Sequence, residues 1–278
     1  MALPATRPMP PPPSRPPTGN GEKKAERQLT PTTGVQPGPQ KTVIFGPGGV
    51  GKSSLVACAA KAGVRPLIVD VDFGTNFLDV ARVQPETWEE VRAILQDRNL
   101  LAPYDMVAVD SGTKAEELAT AWTIANVPHE KGHRVSSIEC YGFGKGYTHV
   151  FETFLQLLGD LDAVARMGKH VVLVCHDCTA TVPNPAGEDW IRWEPRLQSP
   201  ASGKFSIRHR VKEWCDHLLF VGFDQVVDSE RKAKGSGTRT IYPTELPTHW
   251  AKSRLLRNVI PYLDGDATLW NQLFGKET

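Results

Sequence analysis

The sequence contains no long hydrophobic run and almost no excess of charge of either sign. Its longest apolar stretches, such as Val171 to Cys175, are far too short to cross a bilayer. The N-terminal sequence MALPATRPMP has no apolar signal-peptide core, so we expect a cytoplasmic protein with no membrane partner. The formal net charge is only +1, from 32 lysines and arginines against 31 acidic residues. Attraction to nucleic acid must therefore come from local clusters of charge.

Cysteine is also scarce. The five cysteines are an odd number, and the sequence shows no secretory leader. Both facts argue against a disulfide framework, so we expect reduced thiols.

Aliphatic residues are almost absent from residues 1–39. This segment holds eleven of the 23 prolines, including the run Pro10 to Pro13. A segment with so few apolar side chains cannot bury a core, so we predict a disordered, proline-rich tail. Residues 40–278 are predicted to form one core domain.

From Lys41 onward, β-rich runs alternate with helical patterns, as is typical of a parallel sheet covered by helices. Strands are predicted at Thr42–Phe45, Pro66–Val71, Asp105–Val109, His170–Cys175 and Leu218–Val221, with a hairpin formed by Gln225–Val227 and Thr238–Tyr242. Helices are predicted at Ser53–Ala62, from a capping box at Thr87–Glu90 through Leu95, and at Thr148–Met167. We therefore predict an α/β fold: a mainly parallel central sheet with helices on both faces and a C-terminal β-hairpin.

A glycine-rich segment between the first strand and the first helix matches the phosphate-loop pattern G-x-x-x-x-G-K-[ST]. Glycines let backbone N–H groups wrap phosphates, and the following helix adds the positive end of its dipole. Lys52 is expected to reach the β and γ oxygens, and the Ser53 hydroxyl to bind Mg²⁺. The predicted nucleotide contacts are Gly46, Pro47, Gly48, Gly49, Val50, Gly51, Lys52, Ser53 and Ser54.

A second magnesium-side residue is expected at the end of a buried strand. Asp110 follows the apolar run Met106 to Val109, so we predict that it shares the ion with Ser53. Guanine-binding proteins need an N-K-x-D motif after a later strand. Here His176-Asp177-Cys178 stands at that point instead. ATP with Mg²⁺ is therefore the predicted ligand.

Hydrolysis requires a carboxylate that orients or deprotonates the attacking water. Asp70 and Asp72 both come at the end of the second strand, and we choose Asp72 because it lies further toward the carboxyl edge. The alternative is that Asp72 only caps the turn formed by residues 73–76. His176, after the fourth strand, is predicted to sense the γ-phosphate, with an ordinary surface histidine as the alternative.

Together these motifs resemble those of RecA-type recombination ATPases, specifically the small core-only versions that bacteriophages carry and that are grouped with single-strand annealing proteins. The resemblance covers about residues 41–260. It rests on Gly46–Ser53, Leu67–Gly74, Val107–Ser111, Gly144–Tyr147, Val172–His176 and Ala251–Arg254. It implies a RecA-like P-loop NTPase fold. The family's catalytic acid is usually Glu and its sensor Gln, whereas this chain has Asp72 and His176.

The resemblance also implies an assembly. Family members form rings or filaments in which a basic residue of one subunit reaches the γ-phosphate of its neighbour. Lys252 and Arg254 lie two positions apart and so would face the same way on a strand. They are the predicted trans-acting residues, with an ordinary surface pair as the alternative.

DNA-binding loops in RecA-like proteins follow the third and fourth strands. Here the corresponding segments are residues 126–146 and 179–210, which show no clear periodicity and mix basic with aromatic side chains. That mixture suits single strands, since cations meet phosphates while bases stack on rings. The predicted contacts are Arg134, Lys145, Arg192, Trp193, Arg196, Lys204, Arg208 and Arg210. The alternative is a solvated loop whose Trp190 and Trp193 pack against the body.

The sequence therefore predicts a multimeric ATPase that binds single-stranded DNA and promotes annealing or strand exchange. A first alternative is an ATP-clamped annealing scaffold with little hydrolysis. A second is a P-loop ATPase that loads or positions a partner, although Pro47 stands where the partitioning class has a lysine. A single-strand-binding protein is left as an open candidate partner.

Overall fold

The computed structural model describes residues 31–36, 38–201, 203–227 and 233–275. Residues 31–36 form no helix or strand. The rest of the tail predicted for 1–39 lies outside the described residues, apart from Gly38 and Pro39. Residues 228–232, which connect the two strands of the predicted hairpin, also lie outside them.

The described residues from 38 onward alternate strands and helices along the chain. The strands are β1 Lys41–Phe45, β2 Pro66–Asp70, β3 Ala81–Val83, β4 Met106–Asp110, β5 His170–Cys175, β6 Asp177–Val182, β7 Trp190–Pro195, β8 His217–Val227, β9 Ala233–Tyr242 and β10 Ile260–Pro261. The α-helices are α1 Lys52–Ala57, α2 Trp88–Gln96, α3 Arg98–Leu101, α4 Gly112–Asn126, α5 Lys145–Arg166, α6 Ile207–Trp214 and α7 Thr268–Phe274, with 3₁₀ turns at Cys58–Ala62 and Glu139–Tyr141.

Eight strands form one central sheet in the order β10-β9-β8-β1-β5-β4-β2-β3. The six strands from β8 to β3 run parallel, and β9 and β10 add an antiparallel edge. β1 lies in the middle, where Ile44 pairs with Val174 of β5 on one side and with Leu219 of β8 on the other. The predicted α/β fold with a mainly parallel sheet and a C-terminal hairpin is confirmed.

Helices cover both faces of the sheet because successive strand residues point to opposite sides. Val43 and Phe45 of β1 pack in the core beneath α2, α4, α5 and α6. Ile44, between them, packs in a second core beneath α1 and α7. The unbroken apolar runs of the central strands therefore reflect burial on both sides.

Local sequence explains the boundaries of two helices. Thr87 caps α2 as predicted: its side chain accepts from the Glu90 N–H at 3.2 Å, and the Glu90 carboxylate accepts from the Thr87 N–H at 3.2 Å. The helix predicted from Ser53 to Ala62 is α-helical only to Ala57. A 3₁₀ turn completes it, and Gly63 ends it with φ of 77°.

One expectation about the connecting segments is wrong, and one helix was not predicted. Residues 179–210 are not an irregular loop, since they contain most of the β6–β7 hairpin and the start of α6. Residues 112–126, assigned no element from the sequence, form α4. The buried face of α4 carries small residues such as Ala115, Ala119 and Thr123, which produce no visible hydrophobic stripe.

No helix within the described ranges combines the length and the apolar character needed to cross a membrane.

Candidate functional site

The glycine-rich loop connects β1 to α1 at the carboxyl edge of the sheet. Residues 47–51 rise between the two elements, and α1 begins at Lys52. Gly48 and Gly49 have no heavy atom within 4 Å of the position that a Cβ would occupy. The loop therefore leaves open space where its backbone turns, as a loop that cradles phosphates requires.

Two other loop glycines are held tightly by their surroundings. A Cβ on Gly46 would lie 2.0 Å from the Val221 carbonyl oxygen on β8. Gly51 has φ of 95°, a left-handed conformation that disfavours any side chain. These two positions fix the loop at both ends, which explains the two invariant positions of the sequence pattern in physical terms.

Lys52 lies under the loop rather than in solvent. Its side chain is 7% exposed, and Nζ donates to the carbonyl oxygens of Gly46 at 2.7 Å and Pro47 at 2.9 Å. Burial lowers the pKa of Lys52, and the neighbouring carboxylate of Asp110 opposes that change. The ammonium group is thus held within the ring of the loop, facing the space in which phosphates would lie.

Ser53 and Asp110 meet directly. The Ser53 hydroxyl donates to Oδ2 of Asp110 at 2.5 Å, and Asp110 is 5% exposed at the end of β4. Burial raises the pKa of Asp110, although the hydrogen bond from Ser53 acts against it. A hydroxyl and a carboxylate side by side next to a phosphate loop form a donor set that suits Mg²⁺ shared with phosphate oxygens.

Asp70 and Asp72 have different surroundings. Asp70 is fully buried and caps the following turn, where it accepts from the Gly74 N–H, the Thr75 N–H, the Thr75 hydroxyl and the Gln84 amide. The turn-capping role that sequence reasoning held open for Asp72 therefore belongs to Asp70.

Asp72 faces the other way, toward β5. Its Oδ2 lies 3.2 Å from Nε2 of His176, and the two side chains are 29% and 34% exposed. Burial raises the pKa of Asp72, but hydrogen bonds with His176 and Ser111 outweigh this and leave the pKa below its usual value. The structure thus brings together a charged carboxylate, an imidazole, the Ser53–Asp110 pair and Lys52 at one edge of the sheet.

Comparison with known protein families matches the model of the AAA domain to residues 38–255. The matched segment contains the phosphate loop, Asp72, Asp110 and His176. The chain belongs to the AAA domain family. A search of curated proteins finds no significant match to the chain.

The family and the loop geometry together identify an ATP-binding P-loop NTPase. In this AAA domain, Lys52 and the backbone N–H groups of the loop would hold the phosphates of ATP. Ser53 and Asp110 would hold Mg²⁺, which when bound neutralises charge on the β and γ oxygens.

The first turn of α4 is a part of the AAA domain site that sequence reasoning missed. Ser111 caps α4 by accepting from the Lys114 N–H at 3.1 Å. The Thr113 hydroxyl accepts from the His176 N–H at 3.0 Å and donates to the Arg196 carbonyl at 3.1 Å. A serine directly after a strand-end aspartate is a cap signal that would have revealed this helix.

Glu116, one turn after Thr113 on α4, also contacts the segment that follows β7. Its two carboxylate oxygens lie 3.0 and 2.9 Å from the backbone nitrogen of Gln198. Burial raises the pKa of Glu116 to about 7. The Gln198 side chain in turn donates to the carbonyls of Tyr147 and Phe205. α4 therefore fastens the segment after β7 to the edge of the nucleotide site.

Lys252 and Arg254 lie at the opposite end of β1 and β8 from the phosphate loop. Lys252 exchanges two backbone hydrogen bonds with Leu218, and Nε of Arg254 lies 2.9 Å from Oδ1 of Asp216. Arg254 remains 73% exposed. Within one chain neither residue is near the loop, so a role at the γ-phosphate would require a neighbouring subunit and stays a prediction.

Two of the predicted DNA contacts are engaged in an internal ion cluster. Glu194 is 3% exposed, and it accepts from Arg192 at 2.7 and 2.9 Å and from Arg208 at 2.6 Å. The Arg192 guanidinium also lies over the Trp250 ring, 5.2 Å from its centroid. Both arginines therefore fasten the β6–β7 hairpin to the body of the domain.

The remaining predicted contacts lie at the surface. Arg134, Arg196 and Lys204 are exposed and form no hydrogen bond or ion pair through their side chains within the described part of the chain. Lys145 pairs with Glu130, and Arg210 lies 3.8 Å from Glu213. Trp193 is 38% exposed, and its ring stacks on Phe220, so the alternative in which it packs against the body is partly met.

Proposed function

We propose that this AAA domain hydrolyses ATP with Asp72 as the water-orienting carboxylate, and that it works as a multimer that binds single-stranded DNA and promotes annealing or strand exchange. One observation carries the proposal. His176, which contacts Asp72, is followed directly by β6 of the β6–β7 hairpin. A movement of His176 on ATP hydrolysis would therefore be transmitted directly to the β6–β7 hairpin. This hairpin carries the exposed aromatic side chain of Trp193.

The chemistry at Asp72 supports the hydrolytic part. Because its pKa is lowered, the carboxylate is charged at neutral pH and can accept a hydrogen bond from water. His176 fixes its orientation through the 3.2 Å contact. Lys52 supplies a positive charge at the phosphate loop, where its ammonium group donates to the Gly46 and Pro47 carbonyls.

Exposed aromatic and basic side chains near the same edge support the DNA-binding part. Phe143 is fully exposed, and Phe205 is 44% exposed beside the segment that Gln198 fastens. Arg196 and Lys204 lie in that segment and are exposed. Rings that stack bases and cations that meet phosphates are the two requirements of a sequence-independent single-strand site.

The test is the affinity of a labelled single-stranded oligonucleotide for Arg196→Ala at two salt concentrations. Loss of one phosphate contact should weaken binding and lower the salt slope by about 0.7. Arg98→Ala is the matched control, because Arg98 is an exposed arginine on α3, which precedes β4 at the far edge of the sheet. It should leave both quantities unchanged.

Other outcomes separate the alternatives. A wild-type protein that hydrolyses ATP but binds no single-stranded DNA would support a loading or positioning role. Annealing that survives Asp72→Asn, a variant expected to bind ATP without hydrolysing it, would support an ATP-clamped scaffold. Equal effects of Arg196→Ala and Arg98→Ala would exclude the segment after β7 from the DNA site.

A further inference from the structure

The last part of the chain contacts the phosphate loop, although it lies beyond residue 255, where the family match ends. Tyr262 directly follows β10 and is 2% exposed. Its hydroxyl donates to the carbonyl oxygen of Gly51 at 2.7 Å. Burial raises the pKa of Tyr262 to about 12, so the hydroxyl keeps its proton throughout the physiological range.

Arg239 of β9 contacts the neighbouring peptide. Its Nη1 donates to the Val50 carbonyl at 3.1 Å, and its Nη2 lies 2.7 Å from Oδ1 of Asp264. The guanidinium also stands over the Tyr262 ring, 4.5 Å from its centroid. The Arg239 side chain is only 14% exposed, so its position is fixed on three sides.

The geometry of the peptide bond gives these contacts a consequence. In a trans peptide, the carbonyl of one residue and the N–H of the next point in opposite directions. Holding the Val50 carbonyl outward therefore aims the Gly51 N–H inward. The Gly51 carbonyl accepts from the Leu55 N–H at 2.8 Å, in the first backbone hydrogen bond of α1, and from the Tyr262 hydroxyl, and its orientation aims the Lys52 N–H inward. Inward-pointing N–H groups are what a phosphate loop offers to its ligand.

Arg239 and Tyr262 approach Gly51 too closely for any other residue to stand there. A Cβ on Gly51 would lie 2.8 Å from both Arg239 Nη1 and the Tyr262 hydroxyl oxygen. The glycine of the motif therefore serves a second purpose besides its left-handed φ, since it lets two side chains reach the outer surface of the loop.

We propose that Arg239 and Tyr262 are positioning residues that brace the phosphate loop from outside and set the affinity of the site for nucleotide. Neither side chain needs to touch the nucleotide. This proposal rests on nucleotide binding by the AAA domain and does not depend on whether the protein binds DNA.

The test compares Tyr262→Phe with Trp270→Phe. The first variant removes one hydroxyl and keeps the ring. The second removes the Trp270 indole N–H, which donates to the Leu55 carbonyl at 2.6 Å. Trp270 belongs to the same C-terminal part of the chain as Tyr262, but its acceptor lies inside α1 rather than in the loop. Both variants lose one hydrogen bond to a backbone carbonyl, and Trp270→Phe also removes ring volume from the core, so a merely stabilising role would affect Trp270→Phe at least as strongly as Tyr262→Phe.

Two readouts are needed. Hydrogen exchange of a peptide covering residues 46–53, measured without nucleotide, should become faster in Tyr262→Phe and stay unchanged in Trp270→Phe. The dissociation constant for a fluorescent ADP should rise about fivefold in Tyr262→Phe alone, as expected for one hydrogen bond. In ATP hydrolysis, KM should rise and kcat should stay constant.

Asp264→Asn is the second variant, because Asp264 is 82% exposed and its replacement leaves the core intact. It should weaken nucleotide binding by about twofold by freeing one side of Arg239. Unchanged exchange of residues 46–53 in Tyr262→Phe would overturn the brace whatever the nucleotide data show. Equal losses of affinity in Tyr262→Phe and Trp270→Phe would overturn it as well.

Discussion

Oδ2 of Asp72 lies 3.2 Å from Nε2 of His176, although the strands that carry them are not neighbours. β4 lies between β2 and β5, so this contact passes over the end of β4, where Asp110 stands. The pair therefore spans the carboxyl edge of the sheet from β2 to β5, the strand next to β1.

Asp72→Asn should abolish most hydrolysis without affecting nucleotide binding. The neutral amide orients and polarises the attacking water less well than the charged carboxylate, and loss of such a group typically lowers kcat by about a hundredfold or more. KM and the dissociation constant for ATP should change little, because Asp72 stands apart from the loop. Steady-state ATPase assays with a separate binding titration will measure both, and an unchanged kcat would remove Asp72 from catalysis.

Asp70→Asn should instead destabilise the fold. The carboxylate accepts four hydrogen bonds in a fully buried position, and an amide would set its own N–H groups against those donors. We expect the free energy of unfolding to fall by about 2–3 kcal/mol in urea denaturation. Asp97→Asn is the control: Asp97 caps α3 at the surface, and asparagine is an equally good cap.

Acid should weaken the fold through His217. This residue is 1% exposed, and burial lowers its pKa to about 4, below the ordinary 6.5. Between these values the unfolded chain binds more protons than the folded one, so stability falls as pH drops from about 6.5 to about 4. The full loss is about 3 kcal/mol.

His217→Gln should reduce that slope. Ser253 and Gln40 hold the two ring nitrogens at 2.7 and 3.0 Å, which satisfies the neutral ring. Urea denaturation at several pH values between 4 and 7 will compare the two proteins by slope rather than by absolute stability. Parallel curves would show that His217 does not titrate in this range.

The trans role of Arg254 can be tested by mixing two inactive proteins. Arg254→Ala keeps its own phosphate loop, and Lys52→Ala keeps its Arg254. If Arg254 acts on a neighbouring subunit, the mixture should recover part of the ATPase activity that each variant lacks alone. No recovery, or full activity of Arg254→Ala at every protein concentration, would contradict the prediction.

The central fold could be predicted from the sequence because its strands are buried on both faces. Runs such as Val171 to Cys175 are apolar throughout, and each ends at a polar or glycine residue. The phosphate loop was equally visible, since its glycines, Lys52 and Ser53 form a local motif between a strand and a helix. Neither prediction depended on long-range contacts.

Elements whose contacts are small or polar could not be predicted. α4 packs through Ala115, Ala119 and Thr123, and the β6–β7 hairpin is a separate pair of strands with partly exposed side chains. The ion cluster around Glu194 joins residues from β7 and α6, and only the folded chain shows that Arg192 and Arg208 are already paired. The Tyr262 contact with Gly51 joins distant parts of the chain and leaves no local pattern.

The place of β1 in the sheet has a consequence for the order of synthesis. Lys41 and its neighbours leave the ribosome early, yet both strands that flank them, from Val171 and from His217 onward, are made much later. Loop closures of this length slow folding. A nascent chain thus carries its nucleotide motif before the two strands that flank β1 have been made, so we expect the loop to bind nucleotide only after β5 and β8 have joined the sheet.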